Sequence, residues 1–142
     1  YAAHASWQQE IRAAAERSRK YIHQYLGGLI EVENEGADIL IIASGTAVSQ
    51  SREAVLLAKK EGINVGLVKI KCIRPFPTEE IRSLTKNVKA VIVPEFNIVG
   101  WLCREIKTII DNNANVIGGP RVYGGMTMPP ELILAEIRRC AK

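Results

Sequence analysis

The chain has 142 residues, 47% hydrophobic and 24% charged, with a formal net charge of +4. That is one globular domain's worth of sequence, enough for a substantial core. Its apolar runs fall far short of the roughly 20 residues a membrane helix requires, and its dispersed basic residues with few aromatics argue against nucleic acid as a partner.

Taken in order, residues 1–26 place Trp7, Ile11, Ala14, Ala15, Ser18, Ile22, Tyr25 and Leu26 at helical spacing and break at Gly27-Gly28. This predicts an amphipathic helix, with Arg12, Glu16 and Arg19 on a face that is either solvated or part of a linker helix docking on another domain. Because the chain starts at Tyr1 rather than Met, with no signal peptide in view, a longer polypeptide is expected. The boundary falls at 1–28 for the linker helix and 29–142 for the domain. Leu29-Ile-Glu-Val-Glu predicts a short strand, and the turn at 34–37 is too short for a helical crossover, so an antiparallel pairing with the next strand is expected.

The next stretch, Asp38 to Lys60, organises the rest. Ile39–Ala43 is an unbroken, isoleucine-rich run bounded by turn formers, the pattern of a strand buried on both faces. Thr46 is placed to cap the following helix, whose small residues Ala47, Ser51, Ala54 and Ala58 let it lie close on a sheet. Gly62 stands where a left-handed residue ends it, and Val65–Ile70 is again strand-like. The result is a βαβ unit.

Pro75 and Pro77 then fix an extended loop. Thr78–Asn87 predicts a short helix, with Glu79 and Glu80 at its positive end and Ile81, Leu84 and Val88 inward. Lys89–Pro94 is a further buried strand, followed by Glu95-Phe96-Asn97 and a helix from about Ile98 to Asp111. A weak strand at Asn115–Gly118, a mobile or tight loop over Gly118–Gly125 and a last helix from Thr127 to about Cys140 complete the chain. The pattern predicts a three-layer α/β/α fold with an open, mostly parallel sheet of about five strands, the first one antiparallel. Ser44-Gly45-Thr46, Arg74-Pro75-Phe76, Glu95-Phe96-Asn97 and Gly119-Pro120-Arg121 then meet at the carboxyl ends of the strands, the usual ligand or partner edge of such sheets.

The chemistry there is thin. Ser44-Gly45-Thr46 fits an ordinary strand-to-helix turn better than an anion cradle, having neither Gly-x-Gly-x-x-Gly nor a P-loop. Glu95 and Asn97 fit a substrate-orienting pair, loop pins or interface groups, and Arg74 fits an interface anchor better than a catalyst. His4 and His23 lack nucleophilic or acidic companions in the sequence pattern. Cys72, Cys103 and Cys140 form no Cys-x-x-Cys motif, so a reducing, cytoplasmic setting is expected, without zinc or an iron–sulfur cluster in this chain. Phe76 and Phe96, the chain's two phenylalanines, sit at one edge and fit interface anchors slightly better than core residues. A free-standing ligand-binding α/β module is the rival to an assembly domain.

Ala-Asp-Ile-Leu-Ile-Ile-Ala-Ser-Gly-Thr, Ser-Arg-Glu-Ala-Val, Lys-Glu-Gly-Ile-Asn-Val-Gly, Ile-Arg-Pro-Phe-Pro, Val-Ile-Val-Pro-Glu-Phe-Asn and Arg-Val-Tyr-Gly-Gly-Met-Thr-Met-Pro-Pro-Glu occur in one line. Over residues 30–138 this order resembles the C-terminal domain of the α subunit of 2-oxoacid:ferredoxin oxidoreductases, the 2-oxoglutarate type more than the pyruvate type. It is similar also to the C-terminal domains of transketolase and of 2-oxoacid dehydrogenase β subunits, which share the Arg-Pro-Phe-Pro loop and the Glu after the next strand. It departs from the family after Asn97, where Ile98-Val99-Gly100-Trp101 lacks the usual Gln, and at Gly118-Gly119-Pro120; both bear on substrate subtype rather than fold. The resemblance implies a transketolase C-terminal-like domain that is itself non-catalytic and serves subunit assembly. It implies as partners the thiamine-binding domain of the same subunit, a β subunit and ferredoxin. Thiamine diphosphate, Mg²⁺ and iron–sulfur clusters would lie elsewhere in the complex, which converts a 2-oxoacid and coenzyme A to an acyl-CoA.

Overall fold

A computed structural model describes residues 2–110 and 115–142, with side chains from residue 6 onward. The order is α1 (Ala2–Leu26), β1 (Ile30–Glu33), β2 (Ile39–Ser44), α2 (Ala47–Lys60), β3 (Val65–Ile70), α3 (Thr78–Thr85), β4 (Ala90–Glu95), α4 (Trp101–Ile109), β5 (Asn115–Arg121) and α5 (Pro130–Cys140). The five strands form one sheet in the order β1-β3-β2-β4-β5. All neighbours run parallel except β1, which is antiparallel to β3.

The alternation of side chains along β2 divides the core in two. Ile39, Ile41 and Ala43 face α2 and α5 with Leu67, Ile92, Ile133 and Ile137. Leu40 and Ile42 face α3 and α4 with Val68, Val91, Val93, Ile81 and Ile106. Both faces of β2, β3 and β4 are therefore covered, which is why they read as continuous apolar runs. Full burial of each such Ile or Leu stabilises the fold by roughly 1.5–3 kcal/mol. The small residues expected to bring α2 close, Ala47, Ser51, Ala54 and Ala58, are all buried against the sheet side.

Four expectations are corrected. β1 does not pair with β2: β3 lies between them, and the 34–38 link crosses below the start of β3. There Asn34, with φ +57°, donates from Nδ2 to Asn64 Oδ1 (2.6 Å) and to the Val65 carbonyl (3.0 Å). Gly66 permits the crossing, since a Cβ there would lie 2.8 Å from the Asn34 carbonyl oxygen and 2.6 Å from Leu40. Thr46 makes no side-chain cap; its carbonyl accepts from Ser49 Oγ at 2.9 Å instead. Residues 118–121 are not loop but the end of β5, because the exposed flank of β4 supplies hydrogen-bond partners as far as the Glu95–Arg121 pair. Finally, α4 starts at Trp101 rather than Ile98; its expected end at Asp111 lies outside the described residues.

The apolar face of α1 is not buried on this body. Trp7 is 68% exposed, and Ile11, Tyr21 and Tyr25 are exposed too. The opposite face makes the attachment: Arg19 donates to Glu80 (2.7 Å) and to the Phe76 carbonyl (3.3 Å), while Lys71 donates to the Leu26 carbonyl (2.6 Å). Arg19 is thus a docking residue rather than part of a solvated face. No helix among the described residues is long and apolar enough to cross a membrane.

Candidate functional site

The parallel strands deliver Ser44, Ile70, Glu95 and Arg121 to one edge of the sheet, and the loops that follow them form its surface. Glu95 is its centre. As the last residue of β4 it points into the start of α4 and is only 5% exposed. Its Oε1 accepts from the Leu102 amide (2.7 Å) and from Asn97 Nδ2 (2.9 Å), and its Oε2 accepts from the Cys103 amide (3.1 Å). Asn97 in turn accepts from the Gly100 amide through Oδ1 (2.6 Å). Two of the free amides that this helix start offers to an anion, those of Leu102 and Cys103, are therefore taken by the protein's own carboxylate.

Such a Glu has both carboxylate oxygens engaged and is shielded from solvent, which is the arrangement of a structural pin rather than of a general base. The loop-pin reading of Glu95 and Asn97 is the one their geometry supports.

Gly100 completes the turn with φ +68°, and the Arg121 guanidinium covers it; a Cβ at Gly100 would meet that group at 2.6–2.7 Å. Arg121 also reaches Gly118, beside the Cys103 sulfur. Burial is the main influence on the Cys103 thiol and pushes its pKa up, which keeps it a protonated packing group rather than a nucleophile. Because Asn97 and Gly100 tie off the loop from inside, residues 96, 98 and 99 project outward. Phe96 is 38% and Ile98 62% exposed, with Val99 also open to solvent.

Arg74, Pro75 and Phe76 form a second group. The Arg74–Pro75 peptide is cis. Phe76 turns inward; at 8% exposed it belongs to the core with Leu40, Ile42 and Ile81, and its role as a surface anchor is withdrawn. Its ring meets the edge of Trp101 at a centroid distance of 6.3 Å, and Arg74 lies over the same indole at 5.8 Å. Trp101 was not singled out from the sequence, and it links the two groups. Its signal was an aromatic directly after a turn glycine, at a helix start beside an exposed Ile-Val pair. Ser44-Gly45-Thr46 shares the edge but is engaged locally, Ser44 with β3 and Gly45 through its carbonyl with the Val48 amide at 3.2 Å.

The donor set does not fit a diphosphate–Mg²⁺ site, since the carboxylate of this edge is committed to α4. Nor does it fit a cluster: Cys72, Cys103 and Cys140 stand on separate elements. Among the described residues no three His, Cys, Asp or Glu side chains converge.

Comparison with known proteins places this geometry. The family described as pyruvate:ferredoxin oxidoreductase core domain II matches residues 37–133. The pyruvate synthase subunit PorA of Methanothermobacter thermautotrophicus is 34% identical over 145 residues, covering 92% of this chain and 38% of that protein. Among solved structures, 2-oxoglutarate:ferredoxin oxidoreductase from Magnetococcus marinus superposes with a TM-score of 0.68 at 28% identity, over 80% of this chain and 20% of that one. A split-gene transketolase superposes with a TM-score of 0.61 at 18% identity, over 78% and 40% of the two chains, and shares the fold. The chain thus spans well under half the length of these relatives.

Proposed function

Because the chain belongs to the pyruvate:ferredoxin oxidoreductase core domain II family, we propose that it is the non-catalytic C-terminal domain of an α-type subunit in a 2-oxoacid:ferredoxin oxidoreductase. Its work there is assembly. In the complete complex, thiamine diphosphate, Mg²⁺ and iron–sulfur clusters would sit in other domains, where a 2-oxoacid is oxidatively decarboxylated to an acyl-CoA and electrons pass to ferredoxin. Its partners are the thiamine-binding domain of the same subunit and a β subunit. The relatives include a pyruvate and a 2-oxoglutarate enzyme, so the substrate is assigned to the 2-oxoacid class.

One observation carries the reading. The edge where open α/β sheets hold ligands is closed from inside by Glu95, and outside it presents Phe96, Ile98, Val99 and Trp101 to solvent. Adjacent exposed apolar side chains with an arginine over an aromatic are the make-up of a protein contact.

The test is subunit association in the full complex. Ile98→Ala with Trp101→Ala removes two anchors and is expected to weaken association by about 30-fold, equivalent to roughly 2 kcal/mol. Unchanged co-elution of the double variant with its partner subunit would overturn the assembly reading. So would saturable micromolar binding of thiamine diphosphate plus Mg²⁺ to this chain alone, read by calorimetry.

A further inference from the structure

Residues 44–46, 71–78, 96–104 and 118–130 carry Lys71, Arg74, Arg104 and Arg121 and no Asp or Glu, with Glu79, Glu95, Glu105 and Glu131 at their borders. Two of these cations are used internally: Lys71 bonds the Leu26 carbonyl, and Arg121 covers Gly100 beside Cys103. Arg74 and Arg104 are left exposed, the first over the Trp101 ring and the second three residues after Trp101 in α4. Neither has a carboxylate partner among the described residues. Other arginines do find one: Arg138–Glu61 and Arg139–Glu136 away from this edge, and Arg19–Glu80 and Arg82–Glu79 at its border.

We propose that this edge docks a protein face that is apolar at its centre and rimmed by Asp or Glu side chains, with Trp101 at the middle and Arg74 and Arg104 as the points of charge recognition. The inference rests on the assembly reading and specifies the chemistry of the partner surface. The physical argument is desolvation. A face that covers Ile98, Val99 and Trp101 also strips water from the two guanidiniums beside them, and a buried cation left unpaired is strongly destabilising. The guanidinium fork matches a carboxylate bidentately, which fixes the orientation of the contact as well as its charge. A small anion would satisfy the arginines but leave the surrounding apolar surface in water, so a protein face fits the whole patch better.

The experiment uses the assembled complex. Arg74→Lys and Arg104→Lys keep the charge and introduce an amine that a zero-length carbodiimide couples to any carboxylate in contact. Peptide mapping is expected to find each introduced amine joined to an Asp or Glu of another domain or subunit. The Lys89–Asp38 pair, at 2.6 Å, serves as the positive control in the same digest. If that control couples and the introduced amines do not, the acidic-rim proposal is overturned, whereas the assembly reading stands or falls separately on the Trp101 variant. Saturable binding of inorganic pyrophosphate to the complex, abolished by Arg74→Glu, would also overturn it in favour of a small-anion site.

Discussion

The two ends of the sheet are built from the same strands and differ in how they use charge. At the amino end, charged side chains close on one another across elements: Lys89 with Asp38 at 2.6 Å and Arg138 with Glu61 at 2.5 Å. Asn34 and Asn64 tie the crossing link to the start of β3. At the carboxyl end Glu95 is buried in backbone bonds, Arg74 and Arg104 are left without a carboxylate partner among the described residues, and apolar side chains stand exposed beside them. Exposed ion pairs contribute little stability, a median of roughly 0–1 kcal/mol, so the amino end gains mainly solubility and self-sufficiency. The carboxyl end is stable inside and incomplete outside. The contrast separates the surface a fold needs for itself from the surface it offers to others.

The sharpest way to break this contrast is to remove the inner pin. Glu95→Ala leaves two buried amides and the Asn97 side chain without their acceptor. The expected loss is about 4 kcal/mol at roughly 1–3 kcal/mol per orphaned group, read by urea or thermal unfolding. A change below about 1 kcal/mol would mean that water replaces the carboxylate and that α4 does not depend on it.

Next in size are the two phenylalanines of this edge, which the structure divides between inside and outside. Phe76→Ala is expected to cost about 3 kcal/mol of stability, whereas Phe96→Ala stays within about 0.5 kcal/mol. Equal melting temperatures for the two variants would put both rings on the same side of the surface. Close behind, Gly66→Ala pushes a methyl into the Asn34 carbonyl and Leu40, at a cost of about 2 kcal/mol. Circular dichroism melts of the purified variant check it, and wild-type stability would show that the 34–38 crossing gives way easily.

The smallest effect belongs to the amino end. Arg138 holds Glu61 below its ordinary carboxylate range, first by hydrogen bonding and then by its charge. A carboxylate with a lowered folded pKa contributes stability above its unfolded value, about 4.3. That contribution is lost as pH falls through the folded pKa. Arg138→Ala should therefore lower stability slightly at pH 7, leave it unchanged well below the folded pKa, and so flatten slightly its fall below about pH 4. A matched pair of unfolding curves at pH 7 and pH 3 is the measurement, and identical acid sensitivity in the two proteins would remove Glu61 as a contributor.

What the sequence made legible was local. The βαβ unit, the apolar strands, the inward stripe of α3 and the left-handed Gly62 all depend on neighbours within one element, and each stands where periodicity and turn chemistry put it. The meeting of the four loops at one edge also followed, because parallel strands joined by helices fix it. What escaped depends on partners far along the chain. β1 bonds to residues 67–70 rather than to β2, and nothing in the 34–38 link encodes that choice. Ile98 has the right spacing for the buried stripe of α4, yet Glu95 sets the helix start by bonding Leu102 and Cys103, which leaves Ile98 outside. Gly118-Gly119-Pro120 has loop composition but becomes strand because β4 has an edge to fill. Trp101 gained its importance from Arg74 and Phe76, which lie more than twenty residues upstream.

The placement of β1 has a mechanical consequence. The chain enters the sheet from α1 through Gly27-Gly28, so once the Arg19 bonds to Glu80 and the Phe76 carbonyl give way, tension applied to the helix arrives at a strand of four residues on the outermost flank. In the sheet that strand pairs with β3 alone, by its ladder from Ile30–Ile70 to Glu33–Leu67, and Arg52 of α2 adds a bond to Glu33 at 2.8 Å. Nearest the point of entry the Lys71 side chain holds the Leu26 carbonyl, and the Lys71 and Cys72 amides hold the Leu29 carbonyl at 2.9 and 3.3 Å. These two residues begin the loop that carries Arg74 over Trp101. A pull on α1 is therefore transmitted to the Arg74 loop before it reaches the core. In a force-extension trace of the folded chain pulled through α1, the first rupture within the sheet would be the release of β1 with this loop, ahead of the unfolding of the parallel strands.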